Sequence, residues 1–197
     1  MSSAFVPTSI ETPWVLPARG RVGMFALIAA ESAIFTIFVV AYMFYIGKSV
    51  SGPMPKDVLA PPIFNTICLV SSSVTIHLAI RALKKSMTRL FGLWWFLTFV
   101  LGAIFLLGTA REWRSLIFDH GLTISTNLFG TTYYWLVGLH AVHVTVGLIG
   151  LGIGMVLTAM GKLTSTHSER ADIFSLYWHF VDTVWVVVFV VVYIIGR

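Results

Sequence analysis

The segment from residue 128 to residue 160, LFGTTYYWLVGLHAVHVTVGLIGLGIGMVLTAM, is 33 residues long and carries no formal charge. A helix rises about 1.5 Å per residue, so roughly 20 apolar residues cross a hydrocarbon core of about 30 Å. This segment is therefore long enough to span a membrane and to tilt or project beyond it. Four further apolar segments of spanning length lie at residues 22–46, 62–80, 90–110 and 171–195.

The composition is that of a membrane protein. Of 197 residues, 57% are apolar and 11% are charged, and the mean hydropathy is +0.89. Because backbone polar groups in lipid must be paired within the segment, each apolar segment is predicted to be a helix. We expect an all-α fold with an N-terminal tail at residues 1–20 and one bundle of five transmembrane helices at residues 21–197. The tail has no apolar core, so no removable signal peptide is expected.

The basic residues predict the orientation of the chain. Eight of them fall on the side of the N-terminus, the 2-3 loop and the 4-5 loop, and five on the other side, so we expect the N-terminus in the cytoplasm and the C-terminus outside. Since topology explains their placement, nucleic acid is not an expected partner. The eight are Arg19, Arg21, Arg81, Lys84, Lys85, Arg89, Lys162 and Arg170, and the five are Lys48, Lys56, Arg111, Arg114 and Arg197.

Aromatic residues cluster near the ends of two segments. Trp94 and Trp95 lie near one end of the third segment, and Tyr133, Tyr134 and Trp135 lie near the start of the fourth. Amphipathic rings are enriched at the interfaces between membrane and water. We therefore interpret these five side chains as lipid-facing interfacial anchors.

Five ionisable residues fall inside the predicted spans. Glu31 lies ten residues beyond Arg21, about 15 Å deep, and Asp182 and His140 reach a similar depth. His143 shares a helix face with His140, and His179 shares one with Asp182. We expect the five to form one inward-facing polar cluster. Such a cluster is either a functional site or a set of hydrogen bonds that holds helices together.

Two other functions are compatible with the same residues. A b-type haem needs axial histidines on facing helices, and His140 or His143 with His179 could supply them in a membrane electron carrier. A proton-coupled transporter could use Glu31 and Asp182, although no internal repeat of the kind typical of transporters is visible. Cys68 is the only cysteine, so no thiolate metal cage is expected within the chain.

Several short motifs occur along the chain in the order in which one known family has them. The motifs are Arg21-Val-Gly-Met24 with Glu31-Ser32, Asn65-Thr66 with Ser71-Ser72-Ser73, Leu101-Gly102 to Glu112-Trp113, Gly138-Leu139-His140 with His143-Val144 and Gly147, and Tyr177-Trp178-His179-Phe180-Val181-Asp182 with Trp185. The last of these motifs is the most specific. Over about residues 19 to 197 the chain resembles subunit III of the haem-copper respiratory oxidases, in the five-helix bacterial form.

The resemblance implies an accessory role. In that family subunit I holds the haem and copper, reduces oxygen and pumps protons, and subunit III has no metal or catalytic centre. The implied role is to stabilise subunit I, bind phospholipid and support proton uptake and sustained turnover in the bacterial cytoplasmic membrane. Subunit I is the expected main partner, with subunit II, further small subunits and lipids beside it. Cytochrome c is favoured as electron donor, and a quinol oxidase is the alternative.

The resemblance also implies roles for individual residues. Glu31 is the leading residue of the polar core. Two departures from the family are visible: Thr109 stands where many members have glutamine, and the chain lacks the first two helices of the seven-helix members, which puts the lipid cleft they help to form in doubt. Packing or lipid contacts are implied for Arg21, Asn65, Ser72, Glu112, Trp113, Tyr177, Trp178 and Trp185.

Overall fold

The computed structural model describes residues 19–49 and 52–196, so most of the predicted tail lies outside it. The described chain is helical, and five of its helices are long and apolar enough to cross a membrane, which confirms the predicted fold class. The helices are α1 (Arg19–Tyr45), the short α2 (Pro55–Val58), α3 (Ile63–Lys84), α4 (Thr88–Phe118), α5 (Leu128–Ala159) and α6 (Ser168–Phe189), which continues as π-helix over Val190–Ile195.

Helix α4 differs most from its predicted bounds. We predicted an end at residue 110, but the helix continues for about two further turns to Phe118. The charges of Arg111, Glu112 and Arg114 mark the end of the apolar segment, not the end of the helix. A helix that leaves the hydrocarbon region can continue into water, because its backbone hydrogen bonds are internal. Glu112 and Trp113 therefore lie on helix α4 and not in a loop.

Two tight helix ends bring neighbouring spans together. Gly161 follows α5 with a φ of 67°, and the Lys162 N–H donates to the Leu157 carbonyl over 2.9 Å. This is the backward bond of a Schellman ending, in which a left-handed residue satisfies the last carbonyls. Ser86 ends α3 in the same way with a φ of 58°. The chain therefore reverses at once, and α4 packs along α3 more extensively than any other pair of helices.

Helix α1 lies at the edge of the bundle. It packs against α5 and α6, and its buried residues are Phe35 and Tyr42. Helix α6, in contrast, contacts α1, α3 and α5. Because α6 is central, many of its motif residues pack against other helices. Because α1 is at the edge, much of its surface is exposed.

Trp178 of α6 fills the space between three neighbouring helices. Its side chain is fully buried, and its indole N–H donates to the Ser72 hydroxyl of α3 over 2.8 Å. The ring is seated on glycines: a Cβ at Gly102 of α4 would lie 2.8 Å from it, and a Cβ at Gly147 of α5 would lie 2.6 Å from it. Helices in lipid associate through close packing and hydrogen bonds, since lipid is as apolar as their surfaces. Trp178 supplies both.

Most of the predicted interfacial anchors do not face lipid. Tyr133 is fully buried, Trp95 is 3% exposed and Tyr134 is 9% exposed, so that interpretation is wrong for these three. The Trp95 indole N–H donates to a backbone carbonyl of α5 over 2.9 Å. Trp94 is half-buried, and Trp135 is 55% exposed. Position near a span end sets the depth of a ring but not the side of the helix on which it lies.

We predict that Gly147→Ala destabilises the chain and that Gly152→Ala does not. The added methyl at residue 147 meets the Trp178 ring, and such overpacking costs about 1–3 kcal/mol. At Gly152 of the same helix the nearest atom lies 4.0 Å from the new Cβ, so the higher helix propensity of alanine acts alone. Thermal unfolding in detergent micelles measures both. Equal midpoints would show that the Trp178 seat does not limit stability.

Candidate functional site in the membrane interior

An acid and an imidazole pair across helices α1 and α5. The Nε2 atom of His143 lies 3.1 Å from the Glu31 carboxyl, and the His143 Nδ1–H donates to the Leu139 carbonyl over 2.8 Å. Because a carbonyl only accepts, Nδ1 carries a proton. The hydrogen bond between Nε2 and the Glu31 carboxyl requires a second proton, which lies between the two groups. The Tyr177 hydroxyl donates to the His143 carbonyl over 3.0 Å, which ties α6 to the same turn. The Glu31 side chain is 24% exposed and that of His143 is 12% exposed.

A second polar group joins helices α3 and α6. The Ser73 hydroxyl donates to the Asp182 carboxylate in a short hydrogen bond, and His179 Nδ1 lies 3.1 Å from the same hydroxyl. Since a hydroxyl has one proton, Ser73 accepts from the His179 Nδ1–H. Ser72 lies 3.5 Å from the Asp182 carboxylate, at the limit of a hydrogen bond. Asp182 is buried, and its Oδ1 has no hydrogen-bond partner among the described residues.

His140 stands apart from both groups. It is fully buried, and neither ring nitrogen has a hydrogen-bond partner in the part of the chain that the structure describes. Its ring centroid lies 5.0 Å from that of Trp185, 5.7 Å from Phe105 and 6.4 Å from Phe35. His140 is therefore packed as one more ring among aromatic side chains.

The structure thus divides the five predicted residues into a pair, a group and a single ring. Within residues 19–49 and 52–196 no hydrogen bond links the Glu31–His143 pair to Asp182 or His179. Phe35 packs against both helices nearby, with its ring centroid 5.0 Å from that of His143 on α5 and 6.3 Å from that of Phe180 on α6. Counting residues from the span ends gives these side chains a similar expected depth, but it does not give the direction in which each points. For this reason a single cluster was predicted.

The arrangement of the histidines does not favour the haem hypothesis. The His140 ring is packed among the aromatic rings of Phe105 and Trp185. Among the described residues, no group of three or more His, Cys, Asp or Glu side chains is placed to hold a metal ion.

A third buried polar group was not predicted as a group. Tyr193 and Tyr133 both donate to Oε1 of Glu112, over 2.7 Å and 3.2 Å, and so join α4, α5 and the π-helical end of α6. Glu112 lies between two arginines, which in sequence resembles a surface position. Tyr133 was assigned to the lipid interface. Tyr193 lies in the π-helical segment Val190–Ile195, a rare form of helix that is frequent at functional sites.

Asp172 was also missed, and it joins three helix ends on one membrane side. Its carboxylate accepts from Arg21 of α1 over 2.7 Å and from Lys84 of α3 over 3.1 Å. The two cationic side chains are 42% and 54% exposed, and such pairs contribute little each in water. The two cations compensate the negative charge of the Asp172 carboxylate. The three residues also connect the start of α1, the end of α3 and the start of α6.

The remaining motif residues make packing contacts between helices. Trp185 donates its indole N–H to the Thr66 hydroxyl over 3.1 Å, and Asn65 packs against a glycine of α4. The Trp113 ring lies against a glycine of α5, and its Nε1 has no partner among the described residues. Thr109 is buried and donates to the carbonyl one turn earlier over 3.2 Å, so it needs no external partner.

The match to known proteins covers the whole described bundle. Residues 18–197 match the family described as Cytochrome c oxidase subunit III. The chain belongs to the cytochrome c oxidase subunit III family. Over 176 residues it is 32% identical to "Cytochrome c oxidase subunit 3" of Alkalihalophilus pseudofirmus, covering 88% of this chain and 85% of that protein.

Two further relatives carry the same family name. Over 132 residues the chain is 39% identical to "Probable cytochrome c oxidase subunit 3" of Mycobacterium tuberculosis, covering 66% of this chain and 64% of that protein. It is 38% identical over 132 residues to "Cytochrome c oxidase subunit 3" of Corynebacterium diphtheriae, covering 66% and 63%. In both, the match spans just under two thirds of the relative.

Family membership confirms the resemblance to subunit III. Together with the five spanning helices, it identifies an integral membrane protein that is one part of a multi-subunit oxidoreductase complex of the respiratory chain. In this chain Glu31 of the first span and His143 of the fourth span are in direct contact.

We predict that Glu31 and His143 are energetically coupled. A double-mutant cycle with Glu31→Gln and His143→Leu should give a coupling of about 0.5–2 kcal/mol, since the residues share one hydrogen bond inside the membrane. Unfolding of the detergent-solubilised chain measures it. Thr145→Val serves as control, because the Thr145 hydroxyl is exposed and bonds only within its own helix. Additive effects of the two mutations would rule out the pairing.

We also predict that Glu112→Leu costs more stability than Glu112→Gln. Leucine leaves the buried hydroxyls of Tyr133 and Tyr193 without their acceptor, and an unsatisfied buried donor costs about 1–3 kcal/mol. Glutamine keeps an oxygen that both hydroxyls can reach. Thermal midpoints of the three forms in the same detergent measure the difference. If leucine and glutamine lowered the midpoint equally, the tyrosine contacts would not be the reason.

Proposed function

We propose that this chain is the accessory subunit III of a proton-pumping haem-copper terminal oxidase, with cytochrome c as electron donor, and that it has no catalytic centre of its own. It stabilises subunit I, binds phospholipid and supports proton uptake and sustained turnover. The observation that carries the proposal is the match of residues 18–197 to the subunit III family. The names of its relatives support cytochrome c over a quinol.

The use of the buried polar groups supports an accessory role. Each of the three groups joins different helices: Glu31 links α1 to α5, Asp182 links α6 to α3, and Glu112 links α4 to α5 and to the end of α6. Ionisable groups inside a membrane are expensive and persist when they find partners or perform a function. Here they hold the bundle in one arrangement, which is what a scaffold for another subunit requires.

Glu31 is the best placed of these acids for a role in proton uptake. Its side chain is 24% exposed, whereas Asp182 is 4% exposed. A group that exchanges protons with a partner must be reachable from outside the chain. Nε2 of His143 lies 3.1 Å from the carboxyl, so a proton can pass between the acid and the imidazole with little movement of either side chain.

The proposal includes a location and an orientation. The bundle lies in the bacterial cytoplasmic membrane with its N-terminus inside. The reason is that most basic residues fall on the membrane side shared by the N-terminus, the 2-3 loop and the 4-5 loop. The expected main partner is subunit I, which supplies haem and copper, and subunit II and small subunits complete the complex. Oxygen reduction and electron transfer then occur outside this chain.

Purification through a tag on this chain tests the proposal. The complex extracted in mild detergent should contain a haem-copper subunit, show haem absorption and oxidise reduced cytochrome c. Oxidation of quinol but not cytochrome c would replace the proposed donor. Recovery of the chain without any haem-copper subunit would reject the proposed function.

We predict that Glu31→Leu or Asp182→Leu loosens the complex or shortens its turnover without stopping electron transfer. Each removes a polar contact between helices worth about 1–3 kcal/mol, and if all of it fell on the complex the association would be roughly five- to 150-fold weaker. Asp182→Asn should lose less, since it keeps an acceptor for Ser73. Val186→Leu, on an exposed part of α6, is the control.

Subunit recovery and turnover number measure this prediction. Single-turnover haem reduction should survive in every variant, because the electron path lies in other subunits. Abolition of haem reduction in a complex that still assembles would contradict the noncatalytic assignment.

A further inference from the structure

Two histidines lie at a similar depth on the adjacent helices α3 and α6. The ion pair between Lys84 and Asp172 joins the end of α3 to the start of α6 over 3.1 Å, and it marks one membrane surface. His77 lies seven residues before Lys84 on α3. His179 lies seven residues after Asp172 on α6. At about 1.5 Å per residue, both histidines lie about 10 Å inside that surface. The two side chains are close enough to interact electrostatically.

The hydrogen-bonding capacity of both histidines is unused within the described part of the chain. The His77 side chain is exposed and has no hydrogen-bond partner there. His179 is half-buried, and its Nδ1 lies 3.1 Å from the Ser73 hydroxyl, whose own proton goes to Asp182. The Nε2 atom of His179 has no partner among the described residues. The surface where α3 and α6 meet therefore carries unsatisfied imidazole nitrogens.

Lipid cannot satisfy imidazoles at this depth. Ionisable side chains inside a membrane almost always face the bundle interior or a water-filled cavity, and they find partners there. Lysine and arginine near a span end can extend to the headgroups, but a histidine side chain is too short to cover about 10 Å. An exposed histidine at this depth therefore indicates that another polypeptide covers this surface in the complex.

The exposed surface of α5 provides a contrast. Residues at a spacing of three or four along it are more than half exposed and all apolar, and acyl chains satisfy such a row without any protein partner. The row on α5 therefore suits lipid, whereas the surface around His77 and His179 does not. The row consists of Val142, Val146, Ile149, Ile153 and Val156.

A carboxylate fits the two histidines best. Neighbouring imidazoles each offer an N–H, and a carboxylate accepts from both and is stabilised by any proton that they gain. The nearest acids of this chain have other partners: Asp172 is bound by two cations, and Asp182 is buried and accepts from Ser73. The carboxylate therefore has to come from a neighbouring chain.

We propose that the surface around His77 and His179 is an interface with a spanning helix of another subunit, and that this helix carries an aspartate or glutamate about 10 Å inside the membrane. The proposal rests on the proposed function and deepens its scaffold role. It names the surface that meets a partner and the chemistry by which the partner is recognised.

Photo-crosslinking in the tagged oxidase tests the interface. Benzoylphenylalanine replacing Val74, which is 60% exposed and lies about one turn from His77, should crosslink to a spanning segment of another subunit. Mass spectrometry of the crosslinked peptide should find Asp or Glu within about one turn of the attachment point. The matched control replaces Ile149 of α5, which is also 60% exposed and also lies ten residues from the end of its helix. It should crosslink to lipid.

Four results of this experiment would overturn the proposal. They are crosslinks from residue 74 to lipid alone, to a second copy of this chain, or to a spanning segment without an acid, and equal crosslinking to other subunits from residues 74 and 149. Recovery of the chain without a haem-copper subunit rejects the proposed function. A crosslink from residue 74 to another spanning protein with the expected acid would still support the interface.

Substitution of His77 gives a second, independent measurement. His77→Leu should lower recovery of the crosslinked subunit about fivefold, since it removes one hydrogen bond between helices in the membrane. It should leave the thermal midpoint of the detergent-solubilised chain unchanged, because His77 has no hydrogen bond within the described residues. His77→Gln keeps a donor and should restore most of the recovery. Undiminished recovery in His77→Leu would contradict the interface.

Discussion

The packing of four spanning helices depends on the indole of Trp178. It belongs to α6, donates to Ser72 of α3, and lies in a seat formed by Gly102 of α4 and Gly147 of α5. A bundle in lipid gains nothing from hiding apolar surface, so it needs contacts that lipid cannot make. A large ring placed on two glycines gives close packing, and its N–H gives a hydrogen bond at the same point. Helix α1 has no part in this junction.

The ionisable side chains follow from the same constraint. Each of the three acids has a hydrogen-bond partner on another helix: His143 for Glu31, Ser73 for Asp182, and two tyrosines for Glu112. The groups differ in their accessibility, and this difference separates their roles. Asp182 is enclosed at the centre, whereas Glu31 lies on the edge helix and reaches the surface of the bundle. The edge position of α1 therefore leaves Glu31 reachable from outside the chain, as its proposed role in proton uptake requires.

Much of the fold could be predicted from the sequence, because apolar length and the avoidance of charge within the spans determine five helices. Counting residues from the span ends gives Glu31, His140 and Asp182 a similar expected depth. It does not give their partners, since depth says nothing about which way a side chain faces. Tyr133 shows the limit: near a span end it has the pattern of an interfacial anchor, but it is fully buried against Glu112. The π-helical segment that contains Tyr193, the other tyrosine on this carboxyl, has no recognised signal in the sequence.

A cryo-electron microscopy map of the intact oxidase tests most directly whether the intramembrane acids and imidazoles of this chain act as ties between helices. Our account predicts density for Glu31 in contact with His143 and for His140 enclosed by aromatic rings, with the haem and copper density confined to another subunit. An iron or copper atom bound by His140, His143 or His179 would contradict it.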